Sequence, residues 1–150
     1  MMTEWFECKV RFDKTMEDGL IKKVTENYLV DALSFTEAEK RFIEEIEPFM
    51  SGEFIVTDIK RAKINELFEG DDLQADKWFK CRVAFITIDE KTEKEKRSMQ
   101  TMMVKAIDFP EAVKELQKNM AGTLGDYVIV SVTETKIMDV FKYMTANEKQ

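Results

Sequence analysis

Eight residues near the start of the chain, Trp5-Phe6-Glu7-Cys8-Lys9-Val10-Arg11-Phe12, return as Trp78-Phe79-Lys80-Cys81-Arg82-Val83-Ala84-Phe85, 73 positions later. The correspondence continues downstream. Ala32, Phe35, Glu37 and Ala38 reappear as Ala106, Phe109, Glu111 and Ala112, displaced by 74, and the offset then resets to 73 for Gly52 and Gly125, Lys63-Ile64 and Lys136-Ile137, and Phe68 and Phe141. A period of this kind decides architecture before any local propensity does. It divides the chain into repeat one at 5–68, an acidic linker at 69–77, repeat two at 78–141 and a tail at 142–150, all within one expected domain spanning 1–150.

Each repeat carries the same succession of signals. Phe6, Cys8, Val10 and Phe12 alternate with Trp5, Glu7, Lys9 and Arg11, the period of two expected of a strand with one buried face. Phe79, Cys81, Val83 and Phe85 do the same in repeat two. A hairpin follows each time, signalled by Asp18-Gly19 in the first and by the charged tip Asp89–Lys94 in the second. The returning strands contain Tyr28–Ala32 and Met102–Ala106.

A helix start comes next. Ser34 with Glu37, and Asp108 with Glu111, have the spacing of a side-chain cap and its reciprocal partner. Phe35, Ala38, Phe42 and Ile46 form one stripe and Phe109, Ala112, Leu116 and Met120 the other, so both phenylalanines are expected to be buried against a sheet. Pro48 and Gly122 stop the helices. A third strand is expected to turn Ile55, Thr57 and Ile59, or Val128, Val130 and Val132, to one face, and the segments 63–68 and 136–141 read as short fourth strands in preference to irregular edges. The fold class is therefore α+β: two layers, a mainly antiparallel sheet with one helix per unit, built from two tandem ββαβ(β) repeats related by a pseudo-twofold axis. A 64-residue repeat is marginal alone, which predicts a core shared by the halves.

Composition narrows the class further. The 44% apolar content suffices for a core, and two cysteines without framework spacing fit a reducing, cytoplasmic setting. No signal-like or membrane-spanning apolar run is present, so a soluble protein without membrane association is expected. The net charge of −7 is uneven: residues 1–75 contribute −8 and residues 76–150 contribute +1. That balance opposes a phosphate backbone unless cations gather on one face.

Catalytic constellations are not evident. The chain contains no histidine, the commonest general base and zinc ligand. Cys8 and Cys81 lie between phenylalanines on the buried faces and read as small core hydrophobes, and the methionines, Met99, Met102 and Met103 among them, as plastic filler. Asp71, Asp72 and Asp76 lack the spacing of a calcium loop, and Gly70, Gly122 and Gly125 form no phosphate cradle. No enzyme activity, cofactor or metal is expected. The one constellation with binding chemistry is on the outer faces of the opening strands, where Trp5, Lys9 and Arg11 share one face in repeat one and Trp78, Lys80 and Arg82 share the matching face in repeat two. Aromatic rings beside cations on a sheet can stack bases and contact phosphates. The alternative is that the tryptophans plug the sheet ends or the seam between repeats while the cations are solvated, and the net charge favours it.

The blocks WFECKVRFDKTMEDG, YLVDALSFTEAE and DYVIVSVTETKIMDVF resemble the family catalogued as domain of unknown function 4494, over nearly the whole chain. The resemblance implies an association with bacteria, their phages and mobile elements and transfers no catalytic or binding residue. In topology alone the unit resembles the ribosomal protein LX type of RNA-contacting domain, and topology does not determine function. The expected function is a small non-enzymatic interaction or regulatory module acting through a protein partner or self-association; single-stranded nucleic-acid binding by the outer sheet face is the alternative.

Overall fold

The computed structural model describes residues 3–143, so all but the first two residues of the anticipated tail lie outside the described residues. The elements are β1 (Glu4–Thr15), β2 (Ile21–Ala32), α1 (Phe35–Ile46), a single 3-10 turn (Glu47–Phe49), β3 (Phe54–Ala62) and β4 (Glu66–Phe68), then β5 (Lys77–Ile88), β6 (Glu95–Ala106), α2 (Phe109–Met120), β7 (Asp126–Glu134) and β8 (Ile137–Phe141). The duplication is thus carried into structure element by element. β5 already begins at the last residue of the sequence linker, whose Ala75 is buried.

Local chemistry explains the common frame. Gly19, at φ +84°, permits the tight return between β1 and β2, and Asp18 accepts a bond from the Leu20 N–H. The Ser34 hydroxyl accepts from the Glu37 N–H at 3.2 Å while the Glu37 carboxylate accepts from the Leu33 N–H at 2.9 Å. Asp108, Glu111 and Ile107 repeat the arrangement at 3.0 and 3.1 Å. Behind these caps, Ala38, Phe42 and Ile46 of α1 and Ala112, Leu116 and Met120 of α2 are buried, four residues apart on one helical face.

The fourth strands exist, but they change places. β4, the end of repeat one, pairs in parallel with β6 of repeat two; β8, the end of repeat two, pairs in parallel with β2 of repeat one. The sheet orders are β3-β1-β2-β8 and β4-β6-β5-β7. Among the described residues, one compact unit consequently comprises 3–63 together with 136–143, and the other runs from Ile64 to Thr135. Each has its own core. Phe6, Cys8, Val10, Val30, Ala32 and the α1 stripe fill the first, and Phe79, Cys81, Val83, Val104, Ala106 and the α2 stripe the second. Each exchanged strand contributes an aromatic to its host: Phe141 stacks on Tyr28 at 5.6 Å between centroids, and Phe68 packs against the second core.

Two expectations fail for identifiable reasons. Phe35 and Phe109 are 43% and 53% exposed. As the first residue of its helix, each stands at the lip of the sheet, and burial starts one turn later at Ala38 and Ala112. The faces of β3 and β7 are also not a simple alternation. A register shift opposite Lys9/Val10 and Arg82/Val83 leaves Thr57 and Val130 as bulged residues, 73 positions apart. The inward set is therefore Val56 with Ile59 and Ile129 with Val132, while Ile55, Val128 and Val130 are exposed.

Candidate functional site

The outer-face residues of β1 and β5 do not form two equivalent patches. In unit one, Trp5 is half-buried opposite Asp31 and Ala62, Lys9 faces Asn27 and Asp58, and Arg11 is exposed between Thr25 and Ile55. Glu7 lies among them and accepts a hydrogen bond from the Asn27 side chain at 2.9 Å. Cations and carboxylates are interleaved here, so no net field is directed at an anion.

In unit two, Lys80 and Arg82 are exposed, flanked by Met103 and Thr133, and by Thr101 and Ser131. No carboxylate stands at these flanking positions. Trp78, however, is only 1% exposed. The Lys105 ammonium lies 5.8 Å from its ring centroid, and its carbonyl accepts from both the N–H (2.9 Å) and the hydroxyl (2.8 Å) of Thr135. Leu29, Ala84 and Met103 are likewise buried on these outer faces, outside both helix-facing cores. The structure thus brings Lys80 and Arg82 together at the surface but does not present Trp78 beside them as a stacking ring.

The thiols are placed for packing. Burial, assisted by Glu7, Asp58 and Glu39, pushes the Cys8 pKa up to about 12, and burial pushes Cys81 up to about 11. Both stay protonated at neutral pH and so lack the thiolate that a nucleophile or metal ligand requires. The sign of the linkage follows. Thiols freed by unfolding ionise near 9, whereas the folded ones hold their protons, so this part of the stability is full below pH 9 and falls as pH rises toward 11–12. Urea titrations between pH 7 and 10.5 are expected to show that decline, shallower in the variant combining Cys8→Ala with Cys81→Ala, and thiol reagents should label native protein slowly. Among the described residues, no group of three or more Cys, Asp or Glu is positioned to hold a metal ion.

A different surface distinguishes the units. In unit one a groove of about 430 Å³ between α1 and β3 is lined by Phe35, Thr36, Glu39, Thr57 and Asp58, among others. The Arg61 guanidinium covers the Phe35 ring at 4.9 Å and pairs with Glu4 at 3.3 Å, and Phe35 meets Phe6 edge-on at 5.0 Å. At the corresponding positions of unit two, Glu39 becomes Val113, Thr57 becomes Val130, Asp58 becomes Ser131 and Arg61 becomes Glu134, while Glu4 becomes Lys77. The polar lip has become apolar, and the cation over the phenylalanine has become a carboxylate. Phe109, Val128 and Val130 are 53%, 40% and 49% exposed. The sequence carries this signal at the positions where the repeats differ and not in the motifs they share.

Among the described residues, eight strands in two mainly antiparallel sheets, with one capped helix on each and the terminal strands exchanged, make two similar ββαβ units of an α+β fold. The chain belongs to the family described as domain of unknown function (DUF4494), whose sequence model matches residues 4–143. No curated protein and no solved structure is significantly similar to it. Among the described residues, no helix is long and apolar enough to cross a membrane.

Proposed function

We propose that the protein is a non-enzymatic interaction module that engages a protein partner through the rim of unit two formed by α2 and β7, in the service, as the family likeness implies, of a phage, prophage or mobile element. The observation that supports this is the exposure of Phe109 and Val130 where the other copy keeps Arg61 over its phenylalanine and carries Thr57 and Asp58; Val128 is exposed beside them, as its counterpart Ile55 is in unit one. Exposed apolar side chains gathered on one rim are characteristic of contact sites. The protonated thiols and the lack of histidine are consistent with binding in place of catalysis.

Affinity capture from the native host tests it. A stoichiometric partner is expected with wild-type protein and with Phe35→Ser, and its loss with Phe109→Ser; equal capture by all three contradicts the reading. Nucleic-acid binding is the second reading, favoured by Lys80, Arg82 and Lys105 on an outer face without interleaved acids. A fluorescent single-stranded oligonucleotide titrated at low salt is expected to show little or no binding, because Trp78 is covered and the net charge is −7. Salt-sensitive binding abolished by Arg82→Ala would instead promote that reading.

A further inference from the structure

We infer that the free edge of β7 is a strand-addition site for an extended segment of the partner, apolar in its middle and carrying an arginine at the end that lies beside Glu134 and Phe109; this inference rests on the interaction-module reading. β7 pairs with β5 alone among the described strands, so its second edge is unpaired in the sheet order. β3 holds the same place in unit one, and the two edges differ in charge. β3 carries Asp58, Lys60 and Arg61, the kind of residues that deter another strand from pairing, whereas from Tyr127 to Thr133 β7 has no charged residue. The bulge at Val130 does not account for the difference, because Thr57 bulges equally.

Charge complementarity selects the occupant. β7 is bounded by Asp126 and Glu134, so a second copy laid antiparallel on the same edge would bring these carboxylates toward each other. A segment with basic ends meets attraction at both. Unit one supplies the template for one end: Arg61 lies over Phe35 and pairs with a carboxylate. In unit two the ring is present as Phe109, Glu134 stands at the position of Arg61 and Lys77 at that of Glu4, so the charges are reversed and an incoming guanidinium would meet the carboxylate from outside. The neighbourhood is acidic as well. Asp108 caps α2, and the Glu111 pKa is raised, by desolvation first and further by Asp72 and Asp108. Main-chain hydrogen bonds would carry affinity and the exposed valines would select apolar alternate residues, as strand addition generally works.

The test uses the full chain, isotopically labelled, with two nine-residue peptides of alternating valine and threonine, one ended by arginines and one by glutamates. The arginine-ended peptide is expected to shift the amides from Tyr127 to Glu134 and the Phe109 ring, and to bind about tenfold more tightly than its glutamate-ended counterpart. Glu134→Arg, which recreates the covered phenylalanine of unit one at an exposed position, is expected to abolish the preference for arginine, and Val128→Lys to prevent binding. Equal binding of both peptides, shifts confined to another surface, dimerisation through β7, or no binding at all would overturn strand addition. If those results came with loss of the native partner from Phe109→Ser, the interaction module would stand and only this mode of engagement would fall.

Discussion

Replacement of Phe42 by alanine is expected to destabilise unit one by about 3–5 kcal/mol, the range for removing a fully buried aromatic without collapse of the surrounding core. Phe42 has no solvent exposure, occupies the middle of the α1 stripe and meets Tyr28 at 5.5 Å between ring centroids. Ala38 and Ile46, one turn to either side, hold the backbone in place, so the vacated volume has few ways to close. Leu116→Ala should have a comparable effect in unit two, at about 2–5 kcal/mol. Phe35→Ala and Phe109→Ala are expected to cost less, on the order of 1 kcal/mol, because each ring already lies about half in water. Urea unfolding of the four variants checks the order; a Phe35→Ala cost equal to that of Phe42→Ala would mean that burial begins at the first helical residue after all.

The second large effect concerns the exchanged strands. Truncation before Ile137 removes β8, which by sequence belongs to repeat two, yet the loss is expected in unit one. There β2 would lose its parallel neighbour and Tyr28 its stacked Phe141. The cost should be on the order of 3–5 kcal/mol, the loss of the buried Ile137 and the partly buried Phe141 together with several ladder hydrogen bonds. Hydrogen exchange should then show deprotection across Asn27–Val30, with Phe79–Val83 unchanged. Deprotection concentrated in β5 and β6 would place β8 with its own repeat.

How much of this was legible in the sequence depends on the range of the interaction. Caps, hairpins and the Ala38–Phe42–Ile46 spacing are settled within a few residues, and the sequence contains them. The bulges at Thr57 and Val130 depend on which residue of β1 or β5 stands opposite, which no period within one strand reveals. The exchange of β4 and β8 is a choice of partner: the short apolar segment Ile137–Phe141 favours a strand over an irregular edge and is silent about the edge it joins. Trp5 and Trp78 illustrate the same limit for the candidate site. They match perfectly in sequence, but one is half-buried and the other 1% exposed, because coverage by residues such as Lys105 is a tertiary property. The rim at Phe109 was readable only through the replacement of Arg61 by Glu134.

Hydrogen exchange on the full chain, free and bound to its captured partner, tests the functional claim most directly. New protection is expected across Asp126–Glu134 and the first turn of α2, with Phe54–Ala62 and the strand bearing Lys80 and Arg82 unchanged. Protection on β3, or on the Lys80–Arg82 face with β7 still exchanging freely, would contradict it.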